Sequence, residues 1–304
     1  MCTAITGRFS APMRCRPRNQ WCIRCADGPT RRPWRPARSS RHRPRLPPVP
    51  AMQCRSPQGP TADRPVMIAC LPMYDWPERR AETDALWTRL RDALRDEGFD
   101  APDALTRAGD LEGAWLGPDL LLGETCSYPL ETVLRGRVRY VATPIHDAPG
   151  CGHGTYRSVI VARGRGDDAA PPANAGSILP TSLEGPLAAN APESMSGFVA
   201  LRRDMARAGR LFPEPTLWTG SHRASIRAVA DGEAACAAID CVTWQIAKDH
   251  EPAAQKVHVI GWTAERPGLP LITNAAMSDA DMARLRTAVA AAMPAVVLDP
   301  PTER

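Results

Sequence analysis

A chain of 304 residues, 43% hydrophobic and 23% charged, holds enough apolar material for one large or two modest domains, since single cores cluster near about 100–150 residues. Its net charge of +5 hides a division: Met1 to Val66 has fourteen arginines, no lysine and two acids, Asp27 and Asp63, for +12, which leaves −7 on Met67 to Arg304. No run of about 20 apolar residues occurs, which excludes a membrane-spanning helix.

The basic segment also holds twelve of the 32 prolines, and its apolar residues follow neither a 3.6-residue nor a 2-residue period. Such a stretch buries too little surface to offset its ordering entropy, so residues 1–66 are expected to form a disordered Arg/Pro-rich extension. Dense arginine neutralises phosphates, but Phe9, Trp21 and Trp34 give little aromatic interleaving, and no nucleic-acid partner is expected. Cys22 and Cys25 form a CxxC with no second pair at zinc-site spacing. Nothing before Val66 supplies the basic start, apolar stretch and small-residue cleavage site of an export signal, so the chain as written is expected in the cytoplasm. The later cysteines, Cys70, Cys126, Cys151, Cys236 and Cys241, have no paired spacing and read as packing thiols of a reducing compartment.

From Met67 the pattern becomes that of a folded body. Met67 to Leu71 is a short apolar run stopped by Pro72 and reads as a buried strand. Pro77 stands where a first helical turn would begin, and Leu86, Leu90, Ala93 and Leu94 follow at helical spacing until Gly98. Asp119 to Gly123 predicts a strand, Pro129 to Leu134 a short helix, and Val138 to Ala142 another strand before Pro144. A further strand, Ser158 to Ala162, leads through a polar stretch into a second set: helices near Gly197 to Ala208 and Arg223 to Ala230, a strand Ala235 to Ile239, and a helix from about Val242. Val257 to Gly261 predicts a strand, and the last helix, Asp279 to Met293, has Ser278 as its N-cap. Alternation of strands and helices implies parallel, helix-covered sheets, whose ligands bind beyond the carboxyl ends of the strands.

The segments LPMYDWPE at 71–78, LLLGETCSYPL at 120–130, GCGHGTYRS at 150–158, ESMSG at 193–197, TGSHRAS at 219–225, AAIDCVTW at 237–244 and PGLPLIT at 267–273 stand in an order that resembles the phosphate/phosphite/phosphonate substrate-binding proteins of ABC transporters. The resemblance covers nearly all of Met67 to Met293 and implies an α/β, two-lobed type 2 periplasmic-binding-protein-like fold, with mixed sheets flanked by helices and two hinge strands. Ser158 to Ala162 and Val257 to Ile260 would be those crossovers, giving one lobe of 67–160 plus 256–304 and another of 161–255. It also implies a small polar or anionic ligand, a transporter permease as partner and a periplasmic location. The same scaffold hosts cofactor-biosynthesis enzymes and small-molecule sensors, so fold does not fix function.

Candidate ligand contacts sit in the turns after strands. Ser194 and Ser196 precede a helix whose first N–H groups favour an oxyanion, and each also suits an N-cap. Ser221, His222 and Ser225 form a second such turn, in which His222 either meets an anion as a cation or satisfies a loop carbonyl. Thr125 and Tyr128 follow a strand directly, Tyr74 offers an aromatic wall with a hydroxyl, and Tyr156 and Ser158 sit at the expected hinge. Asp240 ends an apolar strand, where it would meet a ligand amine, hydroxyl or protonated oxygen, or cap the next helix. Cys126 has no neighbouring base to activate it, no carboxylate pair announces general acid/base chemistry, and Cys151 with His153 makes too small a ligand set for a metal. No catalytic residue, cofactor or metal is expected.

Overall fold

The structure, a computed structural model, describes residues 66–301 apart from Ala108 and Pro215, so the expected disorder of 1–66 lies, but for Val66, outside the described residues. Strand β1 (Ile68–Cys70) opens the body, and a 3₁₀ turn at Pro77–Arg79 leads into α1 (Arg80–Asp96). Next come α2 (Leu111–Leu116), β2 (Leu120–Glu124), buried at all five positions, α3 (Ser127–Glu131) and β3 (Val138–Pro144).

Two residues of β4 (Thr155–Tyr156) precede β5 (Ser158–Arg163), and β6 (Leu187–Ala189) follows a long polar connection. The expected helix at Gly197 starts earlier, as a π-helical turn Met195–Val199 capped by Ser194, and continues as α4 (Ala200–Arg207). Then follow β7 (Thr216–Trp218), α5 (His222–Asp231), β8 (Cys236–Asp240), α6 (Cys241–His250) and β9 (Val257–Trp262). The chain closes with β10 (Arg266–Pro267), β11 (Leu271–Asn274), α7 (Asp279–Ala292) and β12 (Val296–Val297).

Ten of these strands form two five-stranded sheets, in the orders β1-β2-β11-β3-β12 and β7-β6-β8-β5-β9. Strand–helix alternation alone reads as parallel sheets; both sheets are mixed, as the family resemblance implies. β1 runs parallel to β2, and β6 to both β7 and β8, but β11 inserts antiparallel between β2 and β3, and β5 lies antiparallel to β8 and β9. The reason is connectivity: β9 leaves the second sheet and its continuation must run back through the first in the opposite sense.

Each sheet has its own core. Trp87, Leu90 and Leu94 of α1 pack with Met282, Leu285 and Val289 of α7 on one face of the first sheet. Leu187, Ile226, Val229, Ile239 and Trp244 are among the residues that fill the second. Removing such side chains from water at about 25 cal/mol per Å² supplies the main drive for folding. The expected lobe edges, 160 and 256, fall inside β5 and just before β9; these two strands pair with each other over Val159–Arg163. Between the sheets the chain crosses twice, and the crossings run side by side: Tyr156 pairs with Arg266 and Thr155 with Pro267 in an antiparallel ribbon of β4 and β10. Arg266 is buried there in an ion pair with Asp204 of α4.

Candidate functional site

A cleft of about 650 Å³ opens between the sheets. Its walls come from the carboxyl ends of strands in both: Pro72 to Pro77 after β1, Cys126 after β2, Asn190 after β6, Gly220 and Ser221 after β7, and Asp240 at the end of β8. Helical turns begin at the same edge, which brings their positive dipole ends to it.

Asp240 joins the two walls. Its Oδ1 accepts the backbone N–H groups of Val242 and Thr243 at 2.8 and 2.9 Å, capping α6, while its Oδ2 accepts the Tyr74 hydroxyl at 3.1 Å from the opposite wall. Burial pushes this carboxyl up to about 6, although the Thr243, Tyr74 and Val242 hydrogen bonds oppose the rise. Behind Tyr74, Glu124 accepts the Met73 N–H at 3.1 Å, and burial, aided by the charges of Asp240 and Asp75, pushes it up to about 7. The Tyr74 phenol keeps its proton far above the ordinary range because it is buried beside these acids, and its ring meets His146 edge-on at 5.1 Å.

On the second wall a hydrogen-bond chain fixes the polar groups. Ser158 Oγ donates to the Ser196 carbonyl at 2.8 Å, and Ser196 Oγ lies 2.9 Å from His222 Nε2. Burial depresses the imidazole to about 4, which favours the uncharged ring at neutral pH. Ser194 Oγ accepts the Gly197 N–H at 3.0 Å, and Ser221 Oγ the Ala224 N–H at 3.1 Å, so both serine caps form.

Of the residues singled out from sequence, Tyr74, Ser194, Ser196, Ser221, His222 and Asp240 line the cleft together. The other five lie behind or beside it. Thr125 is fully buried and its N–H bonds the Pro270 carbonyl; Tyr128 packs under the Arg203 guanidinium, 5.6 Å from its ring centre. Tyr156 is buried, Ser158 supports Ser196 from beneath, and Ser225 bonds Thr219 at 2.6 Å. A place after a strand or in a first helical turn does not fix which way a side chain points, and these five are not among the residues that line the cleft.

The cleft also contains groups the sequence reading passed over: Asn190, Thr243, Trp76 and Arg223. Arg223 spans the mouth. It donates to Glu78 at 2.9 and 3.1 Å on the first wall and to Glu251 at 2.7 Å on its own side, with its guanidinium 4.5 Å from the centre of the Trp76 ring. An i,i+3 or strand-period argument cannot reach it, because Glu78 lies 145 residues away. Cys126 also lines the cleft, accepting the Met195 N–H at 3.4 Å, and burial raises its thiol, the opposite of what a nucleophile needs. Among the described residues no cluster of metal-ligating side chains occurs, and no helix is long and apolar enough to cross a membrane.

A sequence profile described as the periplasmic substrate-binding protein of phosphonate ABC transporters matches residues 126–297, more than half of the chain. By structure the chain is similar to a Xanthomonas citri protein solved bound to chloride ion, with a TM-score of 0.54 and 14% identity over 78% of this chain and 91% of that one. It is similar also to the binding-protein component of an ABC phosphonate transporter from Pseudomonas aeruginosa, with a TM-score of 0.52 and 20% identity over 73% and 72% of the two chains. A Prochlorococcus marinus protein solved in complex with methylphosphonate gives a TM-score of 0.54 and 13% identity over 74% and 83%. At these identities the likeness is one of fold. No curated protein matches.

Proposed function

The chain belongs to the phosphonate periplasmic substrate-binding protein family of ABC transporters, and from that premise we propose that its two lobes close over a small oxyanion of the phosphonate or phosphate type. The observation that carries this is convergence: strand ends of both sheets bring the Tyr74, Ser196 and Ser221 hydroxyls, the Asn190 amide and the neutral His222 ring to one cleft. Hydroxyl donors and helix N-termini bind a tetrahedral oxyanion without a fixed counter-charge.

Asp240 sets the ligand's protonation. An ionised carboxylate repels a dianion but accepts a hydrogen bond from a singly protonated phosphonate, and with its proton held up to about 6 it also donates one in mildly acidic solution. Raising Glu124 to about 7 weakens the negative field behind Tyr74 in the same range. The lobes are taken to part at the β4–β10 ribbon, the second lobe running from about Arg157 to Thr263. The closed form would then be what a permease reads.

Thermal unfolding with methylphosphonate, phosphate, phosphite and sulfate tests the reading. A ligand at a hundred times its Kd adds about 2.7 kcal/mol and raises the melting temperature. Unchanged melting with all four oxyanions overturns the proposal; a shift lost in Ser196→Ala and Ser221→Ala places the ligand in this cleft.

A further inference from the structure

Beside the cleft, Cys151 Sγ and Cys241 Sγ lie 3.5 Å apart although 90 residues separate them in sequence. Cys241 is the first residue of α6, directly after Asp240, and is fully buried; Cys151 is half-buried, in the segment that leads from the first sheet into β4. Both positions are firmly seated. The Cys241 N–H donates to the Arg157 carbonyl at 3.0 Å, and the Cys151 N–H to the Ala148 carbonyl at 2.9 Å. Gly150, at φ +94°, lies so close to Trp262 of β9 that a Cβ would stand 2.4 Å from the ring, which presses the loop onto the second sheet. In sequence the two cysteines are scattered thiols with no paired spacing; the fold makes them neighbours.

We propose that Cys151 and Cys241 are a redox-active pair that closes to a reversible disulfide by exchange with a small disulfide, clipping the crossing segment to the strand end that carries Asp240. The exchange balances in two steps. The Cys151 thiolate, the more exposed of the two, attacks one sulfur of the small disulfide and expels one thiolate, leaving a mixed disulfide on Cys151. The Cys241 thiol loses its proton and attacks the Cys151 sulfur; the new protein S–S bond forms as the mixed S–S bond breaks, and a second thiolate leaves. Two protein thiols are oxidised and one small disulfide is reduced to two thiols. The order of attack follows exposure: Cys151 is the half-buried thiol and Cys241 the fully buried one, and the contact between them lowers the Cys151 thiol. A shift of roughly 1.5 Å brings the sulfurs to the disulfide length of about 2.05 Å, and the bond would close a loop of 90 residues, a long closure that restricts the unfolded chain. The inference stands on these two residues and not on the identity of the ligand.

The test incubates the full chain with oxidised glutathione, blocks remaining thiols with iodoacetamide and maps the peptides by mass spectrometry, beside a sample kept in dithiothreitol. The expected result is a linked Cys151–Cys241 peptide, two hydrogens lighter than its reduced parts, with a melting temperature above that of the reduced protein and both effects absent in Cys151→Ser. Full alkylation of Cys151 after oxidation overturns the proposal, as does a glutathione adduct that persists on Cys151 or a Cys151 link to one of the cysteines before Val66. Cys151 is half-buried, so its serine variant remains a folded control where a Cys241 substitution does not. Because neither readout uses phosphonate, failure of the oxyanion proposal leaves this result unaffected.

Discussion

The Tyr74 hydroxyl and Asp240 Oδ2 meet at 3.1 Å across the cleft, 166 residues apart in sequence, so one hydrogen bond joins the turn after β1 to the end of β8. The same carboxylate caps α6 through its other oxygen. Position of the wall and start of the helix are thereby set by a single side chain.

Tyr74→Phe removes a donor that favours the ionised carboxylate, so its cost grows with pH. At pH 8 we expect a loss of about 1.5–3 kcal/mol, the range for a hydrogen bond to a charged group, and a smaller loss at pH 5. Urea unfolding at the two pH values measures both; equal losses would mean that Tyr74 acts only by packing.

Stability should fall as pH rises from about 6.5 to 7.5. Asp240 and Glu124 hold their protons up to about 6 and about 7 in the fold, against ordinary values of 3.8 and 4.5. The folded state therefore binds more protons, and the contribution present below about pH 4 is lost as pH rises through those values. His222, depressed from 6.5 to about 4, works oppositely: its contribution is present above 6.5 and lost on acidification toward 4. Melting curves should show the wild type losing stability above pH 6.5 and Glu124→Gln losing less, while His222→Gln gains more than the wild type between pH 6.5 and 4.5. A wild-type curve rising from pH 6.5 to 7.5 contradicts the assignment.

Much of this was legible in the sequence, and the limits have particular causes. Buried strands such as Leu120–Glu124 and Cys236–Asp240 announced themselves as short apolar runs, and Ser278, Ser194 and Ser221 as caps. Thr125 and Tyr128 were expected in the cleft from their place after a strand, but a place after a strand or in the first turn of a helix does not say which way a side chain points. Asn190 and Arg223 carried no local signal, because what defines them is the opposite wall. The insertion of β11 between β2 and β3 is a long-range event of the same kind.

Cutting the bridge at the mouth should loosen closure more than it weakens the fold. Glu78→Ala removes the Arg223 pair across the mouth while leaving Arg223 bonded to Glu251. Exposed pairs add little to stability, so the melting temperature should hardly move. The radius of gyration of the ligand-free protein, by small-angle X-ray scattering, should rise, and the Kd for the best oxyanion should weaken on the order of severalfold. An unchanged radius and Kd would show that the bridge does not restrain the lobes.

Gly197→Ala tests the packing of the second wall. A Cβ there would stand 1.7 Å from Asn190 Oδ1 and 3.2 Å from His222 Cε1, so the amide must leave its place. The expected cost is about 1–3 kcal/mol, as for overpacking elsewhere, with weaker oxyanion binding. Asn190→Ala in the same chain should restore most of the stability but not the affinity; no restoration would place the strain elsewhere.

The paired crossing of β4 and β10 has a mechanical consequence. One covalent tether lets two bodies swivel about any axis, whereas two segments bonded edge to edge, with Arg266 of one held by Asp204, form a leaf spring that resists twist and yields to bending. The lobes would thus share one soft coordinate, and the cleft would meet its ligand with the same faces opposed on every cycle.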